Sequence, residues 1–566
     1  MEFATVNSMY ERLFRVRAHL PAYHVKRNGA WEAVSWQAYR EKVRDFALGL
    51  MALGMEPGDP VSILGATREE WDLADKAVQS AGGVAVGIYH SNTPQQVHHI
   101  LDHSESGFLV LENELQWRKV EPIRRGLPRL RRTIAMDSAG IQDPEVVPFE
   151  DVLRLGRKQE PTRAEELARR SAAVKPDDTA IIFYTSGTTG PPKGAMLTHK
   201  NILSICGAIR NWGVLTPQET TVIWLPMPHI YGRLMALASA YCGTVGWYAE
   251  SVERLMANLQ EIRPTIFYSV PRIFEKVHTQ LIGQAAGGAD GLTPERIRQV
   301  FGGRIRILLS GGAPIAKEIL EFFHAAGILP LEIYGITETL MCAINRPEKY
   351  RFGSVGSPPD GVELRIGADG EILVRSDMVF KGYLKDAAKT REALSKDGWY
   401  ATGDIGRIDD DGFLWITDRK KDILITAGGK NVAPQNIENL MKTSPYISQV
   451  MVYGDRKPYL TALVTLDADE IRKWASSQGI DGADLKALCS HSRVVDLVES
   501  VVREKNEELA SYEQIKYVRI LPEEFSQESG TLTATLKLRR REVVKRYGDL
   551  LEGMYKGGEH GKGQQQ

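Results

Sequence analysis

Between residues 35 and 111 the chain alternates helical and extended periodicity with little intervening loop, and no other feature restricts its fold as much. Behind Ser35, a residue suited to accept from free helix amides, apolar Tyr39, Val43, Phe46, Leu50 and Leu53 recur at helical spacing. That run stops at Gly54 and the turn Pro57-Gly58-Asp59, and residues 61–64 then read as a strand. A helix over 71–80, a strand over 84–89, a helix opened by Thr93-Pro94 and a strand over 108–111 follow. Strands separated by helices pair in parallel, with the helices covering the sheet, so the expectation is α/β, a wound sheet.

Farther along, the texture changes. Residues 371–417 carry short strands, among them 371–375 and 413–417, with a turn signal at Asp411-Gly412, and read as a small β subdomain. After Asp418 a charged run, Arg419-Lys420-Lys421-Asp422, leads into a mixed α+β segment with a helix over 434–442 and strands near 450–453 and 459–464. A chain of 566 residues exceeds what one core usually supports. The expected division is therefore a large N-terminal α/β domain, 1–420, a smaller α+β C-terminal domain, 421–556, and a disordered tail, 557–566, rich in Gly, Lys and Gln. The longest apolar stretch, 234–248, falls short of the roughly 20 residues a membrane span needs and is broken by Gly243 and Gly246. It reads as a buried helix followed by a strand.

A formal net charge of -1 supplies no global field for polyanions, so no nucleic-acid partner is expected and any function must sit in a local site. Cys206, Cys242, Cys342 and Cys489 are scattered without a CxxC pair, which fits buried thiols in a reducing compartment. The first ten residues contain Glu2 and no basic segment leading into an apolar run, so cytoplasmic residence is the expectation. Arg118-Lys119, Arg124-Arg125, Arg129 and Arg131-Arg132 form a basic cluster. Two readings stand open for it: a solvated face, or peripheral contact with anionic lipid on the inner face of a membrane. Oligomeric state is not fixed by the sequence, a homodimer included.

The chemical signal begins at residues 179–184, TAIIFY, a buried-strand pattern that empties into Thr185-Ser186-Gly187-Thr188-Thr189-Gly190-Pro191-Pro192-Lys193-Gly194. Glycines let successive amides face one concavity, hydroxyls add donors and Lys193 adds charge, a combination suited to a triphosphate. Lys193 is followed by Gly194 rather than Ser or Thr, so the common P-loop is disfavoured.

This string resembles the signature of the adenylate-forming superfamily, which includes acyl-CoA synthetases, peptide-synthetase adenylation domains and luciferases. Other motifs of that family follow in order: Gly311-Gly312-Ala313-Pro314, Tyr334-Gly335-Ile336-Thr337-Glu338, Tyr400-Ala401-Thr402-Gly403-Asp404, Asp418-Arg419-Lys420-Lys421-Asp422 and 530–537, GTLTATLK. The resemblance implies ATP-dependent activation of a carboxylic acid as acyl-AMP, then transfer to coenzyme A. It assigns Thr185, Ser186, Gly187, Thr188, Thr189 and Lys193 to the phosphates. Glu338 becomes the Mg²⁺ ligand, a hard oxygen donor, with Thr337 near the α-phosphate. Gly311, Gly312, Ala313, Pro314, Tyr334 and Gly335 would form the adenine pocket, and Asp404 with Arg419 would hold the ribose. Lys537 would bridge carboxylate and phosphate during adenylation. Lys421 matches a hinge about which the C-terminal domain moves, and Gly428-Gly429-Lys430 a segment lining the pantetheine passage.

Residues 225–233, LPMPHIYGR, with 269–274, 427–434 and 532–541, look most like the long-chain fatty acyl-CoA synthetase branch. His229 would line the acyl or CoA passage, or serve only structure. The rival readings are a ligase that loads a carrier protein, an aryl-CoA ligase, a luciferase-like oxygenase and an idle nucleotide-binding protein. Chain length of the acid is not legible.

Overall fold

A computed structural model describes residues 2–185, 191–286, 292–480, 484–533 and 536–556. The proposed tail, 557–566, lies outside them. The helices and strands read between residues 35 and 111 form as the periodicity predicts. Ser35 accepts from the Ala38 amide at the start of the Trp36–Ala52 helix. Thr93 and Gln96 complete a reciprocal capping box on the Pro94–Ser104 helix, which places Pro94 where its missing N–H is not needed.

Six strands run parallel in one sheet, in the order Thr179–Thr185, Val84–Tyr89, Pro60–Gly65, Phe108–Leu111, Arg132–Ala135 and Val146–Pro148. Lys193–Thr198 and then Gly382–Tyr383 extend it antiparallel beyond Thr179–Thr185, giving eight strands. A second, mainly parallel sheet contains Ile266–Ser269, Ile307–Gly311 and Leu329–Tyr334. Its strand ends deliver the GGAP and YGITE segments. The stretch 234–248 is divided between a helix, Ile230–Cys242, and a strand, Val245–Tyr248.

The β subdomain is a four-stranded antiparallel sheet, and it begins earlier than the sequence reading placed it, at Val362–Ile366, and closes with Leu414–Arg419. Val362 to Ile366 pair with Ser376 to Ile372, so the charged Glu363 and Arg365 that masked the strand in the sequence are its outward face. Buried apolar residues up to Leu414 cluster apart from those that begin at Leu424, which pack around Ile447–Tyr453, Leu460–Leu466 and Ile515–Ile520. Arg272 donates to the Ser448 carbonyl at 2.8 Å and to its hydroxyl at 2.7 Å, and Lys442 pairs with Glu275 at 2.8 Å, joining the two groups. No helix among the described residues is long and apolar enough to cross a membrane. All four cysteines are free and buried.

One buried ion pair ties three site-bearing elements together. Arg233, on the Ile230–Cys242 helix, donates through Nε to Asp75 at 3.1 Å and pairs with it again through Nη2. Lys76 and Gln79 donate to the same carboxylate, at 2.6 and 2.8 Å. The guanidinium also lies 5.0 Å from the Trp71 ring and 5.4 Å from Phe183, on the strand that feeds the phosphate loop. Burial opposes ionisation of Asp75, but Arg233 and Lys76 outweigh it and hold the carboxyl down at about 2. Arg233→Met leaves a buried carboxylate short of its main partner and should cost about 3–5 kcal/mol in urea unfolding. Because the folded pKa lies below the unfolded one, the wild-type advantage should be complete above about pH 4 and shrink as pH falls towards about 2. An unchanged unfolding midpoint would count against this account.

Candidate active site

The Tyr334–Asp404–Arg419 contact forms the centre of the site. Tyr334, at the end of its strand, donates its hydroxyl to Asp404 Oδ2 at 2.6 Å. Burial, with the Asp404 charge alongside, drives the Tyr334 phenol well up, so it keeps the proton it donates. Arg419 Nε lies 3.4 Å from Asp404 Oδ1, because the neighbouring antiparallel strands set Asp404 directly opposite Arg419. Pairing across one hairpin thus fixes the acid and the base together. The sequence reading gave Tyr334 to the adenine face and did not foresee that it orients Asp404.

Gly335 opens the turn that carries Thr337 and Glu338. A Cβ at Gly335 would stand 1.8 Å from the Leu340 carbonyl oxygen, so only glycine permits the turn to fold back this tightly. Leu340 closes it in the left-handed region at φ 59°. Glu338 is buried and accepts from the Tyr383 hydroxyl at 2.7 Å, while its backbone carbonyl accepts from the Phe380 amide at 2.8 Å. Tyr383 belongs to the edge strand Gly382–Tyr383, and the Lys193 ammonium lies 5.0 Å from its ring. One tyrosine therefore joins the loop lysine to the acid. Nothing in the sequence singled it out, since Lys381-Gly382-Tyr383 carries no motif or periodicity tied to phosphate.

Thr185 and Lys193 face each other across the mouth of the loop as the last antiparallel pair. Ser186, Gly187, Thr188 and Thr189 lie outside the described residues. Gly311, Gly312, Ala313 and Pro314 leave the Ile307–Gly311 strand; Gly312 has φ +85°, and a Cβ on Gly311 would press the Tyr231 ring at 3.2 Å.

Lys537 comes from the second group of cores. Leu532 bridges Leu538, and Thr533 exchanges bonds with Lys537, its amide donating to the Lys537 carbonyl at 2.8 Å and its hydroxyl accepting from the Lys537 amide at 3.0 Å. This tight loop sets Lys537 within electrostatic reach of Arg419 and Asp404. Burial, reinforced by Arg419 and partly offset by Asp404, pushes its ammonium down to about 8. His229 faces the same lysine, and burial plus that charge drives the imidazole down to about 3. Its Nδ1 accepts from the Tyr231 amide at 3.1 Å, capping the Ile230–Cys242 helix, which leaves the proton on Nε2. His229 is thus a neutral helix cap that also borders the site.

Gly428, Gly429 and Lys430 are not brought to this centre. They form the exposed tip of a hairpin between Leu424–Ile425 and Asn431–Val432, with Gly429 at φ +73° and Lys430 Nζ 6.0 Å from the Tyr512 ring. Lys421 is exposed beside the junction, where Asp418 accepts from the Gln435 amide of the next helix at 3.1 Å. Within the basic cluster, Arg118 pairs with Glu114, Arg124 with Asp143 and Glu145, and Arg131 with Asp59, which spends much of its charge internally.

A strand-flanked loop lysine, a buried lone carboxylate, an acid positioned between Tyr334 and Arg419, and a converging lysine from a second core suit a nucleotide whose phosphates and sugar are held at separate points. A family model for the AMP-binding enzyme matches residues 12–384, and one for the AMP-binding enzyme C-terminal domain matches residues 421–559. This chain belongs to the AMP-binding enzyme family. Long-chain-fatty-acid–CoA ligase FadD15 of Mycobacterium tuberculosis is 33% identical over 567 residues, covering 93% of each chain. The peroxisomal long chain acyl-CoA synthetase 6 of Arabidopsis thaliana is 32% identical, covering 98% of this chain and 87% of its own. Among solved structures, the A domain of carboxylic acid reductase from Segniliparus rugosus, in complex with AMP and a co-purified carboxylic acid, superposes with TM-score 0.78 at 21% identity, over 98% of this chain and 94% of that one. The anthranilate CoA ligase AuaEII in complex with anthranoyl-AMP gives TM-score 0.77 at 22% identity, over 96% and 97%. These two establish likeness of fold.

The depressed Lys537 is open to direct measurement. Since the free amine is the nucleophile, acetylation of Lys537 without nucleotide should pass its midpoint near pH 8 and level off above that, read by peptide mass spectrometry, while exposed lysines keep climbing past about pH 10. A profile like that of exposed lysines would contradict the described surroundings.

Proposed function

We propose that this enzyme is an ATP-dependent acyl-CoA synthetase, an acid–thiol ligase acting on fatty acids. Support for the acid comes from the relatives: proteins named as long-chain fatty acid–CoA ligases are 32–33% identical over 93–98% of the chain. Support for the chemistry rests above all on one observation, that a lysine from the C-terminal core, Lys537, lies within electrostatic reach of Asp404 and Arg419.

In the first step a carboxylate oxygen attacks the α-phosphorus of ATP, an acyl-phosphate bond forms and the bond to pyrophosphate breaks. Two anions must be brought together, so cations and donors placed before the reaction lower its barrier most. We assign the phosphates to Lys193 and the loop opened by Thr185, the ribose hydroxyls to Asp404 with Arg419, and the base to the Gly311–Pro314 turn. Lys537 bridges carboxylate and α-phosphate. Among the described residues no three or more His, Cys, Asp or Glu side chains gather as a metal site. A single buried carboxylate, Glu338, fits Mg²⁺, which commonly keeps waters and substrate phosphates as its other ligands. Bound there, the ion would neutralise phosphate charge.

In the second step the CoA thiolate attacks the acyl carbon and AMP leaves. Lys537 and ATP's phosphates occupy the approach during the first step, whereas Gly428, Gly429 and Lys430 stand outside at the hairpin tip. We infer that the chain divides into domains at 420/421, and that rotation at Lys421 withdraws Lys537 and brings that hairpin in to line the pantetheine passage.

Lys537→Ala should cut ATP–pyrophosphate exchange at least about 10²-fold, as loss of one transition-state donor does elsewhere, yet spare thioester formation from supplied acyl-adenylate. Equal damage to both half-reactions would refute the role. Lys421→Pro, which fixes φ at the pivot, should do the reverse: exchange near wild type, with thioester formation slowed. Overall turnover that matches wild type would dismiss the pivot.

A further inference from the structure

The Pro94–Ser104 helix touches both stems of the nucleotide loop. His99 Nε2 lies 2.9 Å from the Pro192 carbonyl oxygen, and His103 Nδ1 lies 2.8 Å from the Tyr184 hydroxyl. A carbonyl only accepts, so His99 carries a proton on Nε2 and donates it. Tyr184 is buried, and burial raises its phenol, so the hydroxyl stays protonated. Burial, then the neighbouring His99 and Lys385, holds His103 below the usual histidine range, with Asp102 and Asp386 opposing. Four residues apart, the two imidazoles share one helix face and stack at 5.4 Å between centroids. The Tyr184 ring stands edge-on to both, at 6.2 and 5.8 Å.

Backbone pairing fixes the stems only as far as Thr185 opposite Lys193. Pro192, just inside that pair, has no N–H to donate, so its own backbone can be held only through its carbonyl, the atom His99 contacts. That peptide sets the direction from which the Lys193 side chain leaves the strand. Tyr184, on the opposite stem, precedes the first residue assigned to phosphate. The helix itself is fixed at its start by the Thr93–Gln96 capping box, and just beyond its end Glu105 pairs with Lys385 at 2.9 Å.

We propose that His99 and His103 are positioning residues for the nucleotide, gripping the two stems of the loop from one helix face and so aiming Lys193 at the ATP phosphates. The inference rests on the ATP-binding assignment above. It predicts that the pair matters for ATP and not for the acid or for CoA, and that it ceases to matter once pyrophosphate has left.

The experiment uses the full chain, with wild-type ATP–pyrophosphate exchange measured first; its absence would refute the assignment rather than the clamp. His99→Leu and His103→Leu should each raise the KM for ATP about 5–10-fold, the equivalent of one lost hydrogen bond. The KM for acid and for CoA should stay within about twofold of wild type, since the clamp touches only the stems of the phosphate loop, and so should thioester formation from supplied acyl-adenylate, since no triphosphate is held in that step. His99→Gln, whose amide nitrogen replaces Nε2, and His103→Asn, which replaces Nδ1, should recover most of the ATP affinity. Tyr184→Phe removes a single oxygen and should match His103→Leu even where the leucine variants fold poorly. The clamp is overturned by an unchanged ATP KM in His99→Leu or Tyr184→Phe, by a parallel rise for all three substrates, or by Gln and Asn variants no better than leucine.

Discussion

A single carboxylate, that of Asp404, organises the site. Strand pairing places Arg419 opposite it, the Tyr334 hydroxyl fixes one oxygen, and Lys537 arrives beside it from a different core. Arg419 and Lys537 repel, and the Asp404 charge partly offsets that repulsion. Burial first, and then the neighbouring positive charge, lowers the Lys537 ammonium and keeps His229 neutral, each carrying less charge than it would in water.

Around that centre the support is built in layers. Asp75 and Arg233 fix the His229 helix to the strand that feeds the loop, and Tyr383 ties Lys193 to Glu338. The Pro94–Ser104 helix touches the loop stems from the other side. Packed helices and strands therefore hold the two stems from which the loop leaves. At the junction polar contacts link the two groups of cores, among them Arg272 to Ser448, Glu275 to Lys442 and Asp418 to the Gln435 amide. Such polar contacts exchange readily for water.

Much of the fold was legible because its signals are local. The Ser35 cap, the Thr93-Pro94 helix start and the 179–184 strand each follow from a few adjacent residues, and each stands where expected. Strand Val362–Ile366 escaped notice because its alternating charges conceal a half-buried face that only its partner strand reveals. Asp404, Arg419 and Glu338 could be named from motif, but the motif was silent on what holds them.

By itself the sequence determined the order of elements and the family, since periodicity and short motifs are written in neighbouring residues. Only tertiary structure decided that Tyr334 serves Asp404, that Tyr383 spans Lys193 and Glu338, and that His229 caps a helix while facing Lys537. These partners lie tens to hundreds of residues apart, and their meeting depends on which strand ends the sheets bring together, a property of packing that no local pattern encodes.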